Sequence, residues 1–109
     1  MVKVTCINDK NRPKEIPEFD WVKEGETYHV THISLQVNQV EGGMIVAGCD
    51  IYEKPLSLDR HTPYECFRLS RFGCSKEDLE LMIQLIIDCH NLDKDIATKI
   101  LKETELQEL

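Results

Sequence analysis

Two periodicities divide the chain. In VKVTCI (residues 2–7) Val2, Val4 and Cys6 alternate with polar neighbours, the period-2 signature of a half-buried strand. Trp21 to Val37, WVKEGETYHVTHISLQV, reads as a polar turn at Lys23-Glu24-Gly25-Glu26 feeding a long strand. Tyr28 and Val30 share one parity, while Ile33, Leu35 and Val37 share the other. A single regular strand cannot bury both sets, so a β-bulge or sharp bend is expected near Thr31-His32. Gln39-Val40-Glu41-Gly42-Gly43 then predicts a hairpin turn, and the apolar run Met44–Ile51 a central strand, with Gly48 where another backbone or a large ring approaches closely.

Between the first two strands lies a long connection, roughly residues 8–22, rich in turn formers and carrying Pro13 and Pro17. Loops of that length are uncommon; they carry function or cover the end of a barrel, and the cover is the simpler expectation. Phe19, Trp21 and Val22 are its expected anchors. A polar loop follows over residues 53–63. A turn of 3₁₀ helix is expected around Tyr64–Phe67, then a short last strand near Arg71-Phe72, with Gly73 as its end.

From Ser75 the period becomes helical. Ser75 with Asp78 has the form of a capping box, with Asp in place of the usual Glu. Glu77, Glu80, Gln84, Asp88 and Asn91 form one narrow polar stripe, so the remaining circumference of this helix needs cover from two sides. Asp93 is suited to cap a second helix, roughly 94–106, with Ile96, Ala97, Ile100, Leu101 and Thr104 as its apolar stripe. The short link His90-Asn91-Leu92 makes the pair antiparallel.

The residue order Cys6-Ile7, Arg12-Pro13, Ile16-Pro17, Trp21-Val22, Gly25, Tyr28-x-Val30, Pro63-Tyr64 and Arg71-Phe72 resembles a family of small, uncharacterised bacterial and phage-associated proteins. The resemblance covers roughly residues 1–72. It implies an SH3-like β-barrel without an assigned activity, and it carries over no catalytic residues. The helical tail departs from it. Together these readings predict an α+β protein: a small, strongly bent SH3-like β-barrel over residues 1–73, then a C-terminal helical hairpin over residues 75–106, packed on the barrel or on a second chain.

Composition narrows the function. At 109 residues the chain has room for one compact domain and little room for a deep internal site. No apolar run approaches the ~20 residues of a membrane span. The first residues lack the apolar core of a signal peptide. Five cysteines at irregular spacing, Cys6, Cys49, Cys66, Cys74 and Cys89, argue for reduced thiols and a cytoplasmic location. The net charge of −7 disfavours general nucleic-acid binding, and most of it lies in the tail: residues 1–74 hold nine Lys/Arg against eleven Asp/Glu, residues 75–109 four against nine.

Each candidate for chemistry has a simpler structural role as its rival. Cys6, His29, His32, Cys49, His61, Cys66, Cys74, Cys89 and His90 are soft ligands, but no Cys-x-x-Cys or His-x-x-x-His pair is present, so no metal is expected. Cys66 or Cys74 near His61 lacks the surroundings of an activated thiolate, and an enzyme is not expected. No cofactor is implied. Arg60, His61, Arg68 and Arg71 interleave with Tyr64, Phe67 and Phe72 in the manner of single-strand binders. The opposing view makes those aromatics core and pairs the arginines with nearby acids. The function expected is therefore a non-catalytic, cytoplasmic protein-interaction module. Its candidate partner-binding residues are Trp21, Tyr28, Tyr64, Arg68 and Arg71. Leu81, Leu85, Ile86, Ile100 and Leu101 are candidates for self-association into a homodimer, with a hairpin packed wholly inside one monomer as the rival. The alternative function is a nucleic-acid-associated accessory protein using residues 60–72.

Overall fold

The computed structural model describes residues 1–38, 44–56 and 66–109. The expected turn at 39–43, and Arg60, His61, Pro63 and Tyr64, lie outside the described residues. The elements are β1 (Val2–Cys6), β2 (Thr27–Asn38), β3 (Met44–Ile51), β4 (Phe67–Arg68), β5 (Phe72–Cys74), α1 (Lys76–His90), α2 (Lys94–Glu103) and β6 (Gln107–Glu108), with one-turn 3₁₀ helices at Glu18–Asp20 and Leu69–Arg71. They form a mixed α+β fold: one six-stranded sheet in the order β4-β3-β2-β1-β5-β6, and two helices. Among the described residues no helix is long and apolar enough to cross a membrane.

β2 organises the sheet. Its first half pairs with β1, Val2 opposite Val30 and Val4 opposite Tyr28. Its second half pairs with β3. Val30 faces Ile51, but His32 faces Asp50, so Thr31 is an extra residue in β2. That bulge shifts the parity of the strand: Tyr28 and Val30 are buried before it, and Ile33 after it, while Thr31 and His32 are both exposed. The phase change in the sequence is thus a bulge.

The strongly bent SH3-like β-barrel expected from the sequence is not confirmed, since the sheet of the described residues does not close. β4 and β6 are the two edges, and the sheet is open. It is nevertheless strongly curled, for a geometric reason. β4 and β5 stand four places apart in the sheet, which in a flat sheet is about 19 Å at ~4.8 Å per strand. Only the turn of 3₁₀ helix at Leu69–Arg71 separates them along the chain. Four Cα steps, even fully extended, span at most about 14 Å. The sheet must therefore bend round to bring its ends together.

This arrangement also corrects the local reading of residues 67–73. The 3₁₀ turn lies at 69–71, later than expected, and Phe67-Arg68 is strand. Gly73 sits inside β5 and does not end it. Gly48 meets the expected close approach, and the neighbour is a thiol: a β-carbon on Gly48 would stand 2.3 Å from Cys66 Sγ.

The helices pack on the sheet of their own chain. Ser75 Oγ accepts from the Asp78 amide at 3.2 Å, and Asp93 Oδ1 from the Ile96 amide at 2.9 Å, so both expected caps are made. Asn91 takes the left-handed conformation that ends α1, φ 53°. α1 lies against β1 and β2, and α2 against α1. Met82, Ile83, Ile86, Ala97 and Leu101 join the same core as Val4, Val30, Ile33, Phe67 and Phe72. His90 Nε2 lies 2.7 Å from the Ile33 carbonyl and ties the end of α1 to β2. Of the residues considered for self-association, Ile86, Ile100 and Leu101 are buried within the chain, Leu85 packs at the edge of the core, and Leu81 stays 53% exposed.

This packing makes a separable prediction. Ile86→Ala should cost about 2–5 kcal/mol in urea unfolding, and Leu81→Ala under about 0.5 kcal/mol. Neither midpoint should move with protein concentration, because the face that Ile86 fills belongs to its own fold. A concentration-dependent midpoint, or equal costs for the two substitutions, would mean that a second chain supplies the packing.

Candidate functional site

The long loop between β1 and β2 leaves and returns at one point. Gly25 N donates to the Cys6 carbonyl at 2.8 Å, and Cys6 N to the Glu26 carbonyl at 2.9 Å, so the ends of the loop are hydrogen-bonded together. Gly25 has φ +89°, a conformation that a side chain would strain. Ile16, fully buried, is the principal anchor, with Val22 and Trp21 beside it. Each such burial stabilises the fold by about 1.5–3 kcal/mol.

Phe19 departs from expectation. The 3₁₀ turn at Glu18–Asp20, closed by Trp21 N donating to the Glu18 carbonyl, carries Trp21 inward and leaves Phe19 74% exposed. Its carbonyl accepts from Lys54 Nζ at 2.5 Å, which fixes the turn to the segment after β3.

Arg71 locks the other side of the loop. Its Nη1 donates to the Asn8 carbonyl at 3.1 Å and the Lys10 carbonyl at 2.7 Å. Its guanidinium lies 4.7 Å from the centre of the Trp21 ring. The main chain of Arg71 also accepts from the Ile7 and Asn8 amides. Trp21 Nε1 donates to the Asp9 carbonyl at 2.7 Å. Burial lowers the Arg71 guanidinium from its ordinary value, and the nearby Arg68 pushes the same way. Tyr28 is held similarly: its hydroxyl accepts from the Lys23 amide at 2.9 Å. Burial raises its phenol pKa, the Lys23 hydrogen bond opposing more weakly.

Between this loop, Tyr28 and Lys54 lies an open groove of about 980 Å³. Trp21, Val22 and Tyr28 are its deep apolar lining, and the exposed Phe19 stands at its rim. Asp9, Arg12, Glu18, Lys23, Glu26 and Lys54 supply the polar lining. The cations there are partly engaged: Arg12 Nη1 bonds the Ile16 carbonyl at 2.5 Å, and Lys54 bonds Phe19. Among the described residues the side chains of Glu18, Glu26 and Lys23 have no hydrogen-bond or ion-pair partner.

The structure thus brings Trp21 and Tyr28 together, as walls set deep in one groove. Arg71 backs the groove from behind Trp21 and does not line it. Arg68 lines two other surface hollows, one with Val46 and Glu103 and one with Pro13 and Leu56. Tyr64 lies outside the described residues. Phe67 and Phe72, candidates for base stacking, are buried and pack edge-on with ring centres 6.3 Å apart. Sequence reading missed Phe19 and Lys54 as parts of the site. The signal for Phe19 was Pro17 followed by Glu-Phe-Asp, a turn that throws its middle residue outward.

His29 Nδ1 lies 2.5 Å from Glu53 Oε2, and His29 N donates to Glu53 Oε1 at 2.9 Å. Burial raises the Glu53 carboxyl, but the hydrogen bonds from His29 outweigh it and leave the group below its ordinary value. Burial pushes the Cys74 thiol up to about 11, the Cys49 thiol well above its ordinary value, and the Cys6 thiol upward as well. Neutral, inert thiols follow at these three positions. Among the described residues no group of three His, Cys, Asp or Glu side chains is placed to hold a metal ion.

No family model matches this chain, and no match is found among curated proteins or solved structures.

The clamp can be tested directly. Arg71→Ala should destabilise the protein by about 1–3 kcal/mol and shift Trp21 emission to the red, as two charge-assisted hydrogen bonds and the stacked cation are lost. Arg71→Lys should recover only part, since an ammonium cannot reproduce the planar fork. Urea unfolding followed by the emission of the single tryptophan reads both. A cost below about 0.5 kcal/mol for Arg71→Ala, the range of an ordinary surface substitution, would show that the loop does not depend on Arg71.

Proposed function

We propose that this protein is a non-catalytic interaction module whose groove receives an extended segment of a partner protein. The observation that carries the reading is the pairing of a pre-ordered apolar floor, Trp21–Val22–Tyr28, with a rim phenylalanine left 74% exposed. A single exposed apolar residue is ordinary on a protein surface. One that borders a groove of ligand-binding size is a docking feature. Among the described residues the groove is lined by apolar side chains, carboxylates and cations, a set suited to recognition. Among the described residues Glu18 and Glu26 lack side-chain partners, as does one cation, Lys23, while Arg12 and Lys54 are directed at backbone carbonyls, so the acids of the groove offer the better contact for a basic residue beside the apolar ones of a segment. The chain's net charge of −7 acts in the same direction.

The curled sheet supports kinship with the SH3-like proteins that the residue order resembles. Aromatic grooves on such folds take extended, proline-bearing peptides. The five cysteines form no disulfide, which fits a reducing compartment and supports a cytoplasmic location.

The test is a fluorescence titration of the full chain against arrayed peptides that combine proline, an aliphatic residue and arginine. At least one should bind. Phe19→Ala should weaken that binding by about tenfold, the scale of an interface anchor, without lowering the melting temperature. Glu18→Lys with Glu26→Lys should weaken it further at low salt. Equal binding by Phe19→Ala and the parent chain would remove this groove from consideration.

A further inference from the structure

A second surface, outside that groove, carries the signature of a site for an added strand. β6 lies parallel to β5, Gly73 opposite Gln107 and Cys74 opposite Glu108. Leu109 N donates to the Cys74 carbonyl at 2.9 Å. The Leu109 side chain occupies the place where any residue but glycine at position 73 would put its side chain: a β-carbon on Gly73 would stand 2.7 Å from Leu109 Cγ. So the edge of β5 has a notch, and a leucine two residues beyond the register partner of Gly73 fills it.

The occupant is held shallowly. Gln107 and Glu108 are exposed, and Leu109 is 62% exposed even while seated. The strand pairs with β5 at Gln107 and Glu108. It follows α2 through Glu105, a non-glycine residue at φ 62°, a left-handed backbone that seating the strand must maintain. By contrast Thr104, one residue earlier, is buried and hydrogen-bonded to the Leu101 carbonyl at 2.7 Å. Leu106 still packs against the core, so the break between firm and shallow packing falls between Leu106 and Gln107. Short exposed pairings of this kind open at the lowest cost in a fold. When this one opens, β5 becomes a sheet edge with unpaired backbone groups and an empty leucine-sized notch.

We infer that the β5 edge is a strand-acceptor site for a partner protein, covered in the resting chain by residues 107–109, and that it takes an extended segment bearing an aliphatic side chain at the position of Leu109. Strand addition supplies main-chain hydrogen bonds, and the notch supplies selectivity. The chain's own strand states the chemistry of the ligand, because it is already seated there: polar, then acidic, then leucine. It also competes with that ligand, so exposure of the site is governed by the local opening of residues 107–109.

The probe is a labelled synthetic peptide of sequence Glu-Leu-Gln-Glu-Leu, matching residues 105–109, titrated by fluorescence anisotropy. The full-length Leu109→Ser variant, with its notch vacated, should bind at least about tenfold more tightly than the parent chain, in which the peptide must displace the resident leucine. Adding Gly73→Val to Leu109→Ser fills the notch from below and should abolish binding. A melting temperature within a few degrees of the single variant shows that this loss is not unfolding. A peptide ending in Ser should fail against every variant. Equal affinity for the parent and Leu109→Ser, no binding to either, or binding that survives Gly73→Val would each overturn the inference. Dimerisation of the parent chain that Leu109→Ser abolishes would assign the notch to a second copy and overturn the assignment to a partner.

Discussion

Val30 is the residue through which this fold is built. It pairs with Val2 on one side and Ile51 on the other, and it is fully buried. Immediately after it, Thr31 adds a residue that β3 does not match. Without that extra residue β2 would carry Tyr28 and Val30 on one face and Ile33 on the other, and one of the two sets would meet solvent. With it, both halves of a twelve-residue strand serve a single core. The bend also allows β4 and β5 to be joined by one turn of 3₁₀ helix, and that short join places Arg71 behind the loop that it clamps.

The groove is a consequence of that chain of constraints. Its floor residues are not spare surface aromatics; they are core residues with one edge outward. Trp21 packs on Phe67 with ring centres 5.2 Å apart, and Tyr28 on Phe72 at 6.4 Å. Recognition and stability therefore share side chains, and substitutions at Trp21 or Tyr28 would confound the two. Phe19 separates them, because it touches the groove without serving the core. The loop is built in advance of any ligand by hydrogen bonds to its own carbonyls, which reduces the ordering cost of binding.

Much of this was legible in the chain. Strict alternation marked β1, the parity change marked the bulge, and Ser75 and Asp93 marked both helix starts, because each of these signals is local. The excess of apolar residues on α1 was legible too, but not its use. Whether Ile86 and Leu101 face the same chain or another depends on how far the sheet curls, and no local pattern encodes that. The same holds for the open sheet: closure depends on β4 and β6, strands of two residues each, too short to show a period. The anchoring role of Ile16 is not legible locally, because Pro17 sets an extended backbone there and says nothing of where the side chain before it goes. The clamp made by Arg71 is not legible either, because a sequence shows charge and not the carbonyls that a bend turns toward it.

The central claim is that the loop over residues 8–24 is ordered before any partner arrives. Hydrogen exchange of the Trp21 indole N–H and the Lys23 amide in the free protein, followed by NMR, tests it most directly. The account predicts that both exchange far more slowly than in an unstructured peptide, because the indole donates to the Asp9 carbonyl and the amide to the Tyr28 hydroxyl. Exchange of both at the unstructured rate, while the β1–β2 amides stay protected, would contradict it: the sheet would be formed and the groove would not.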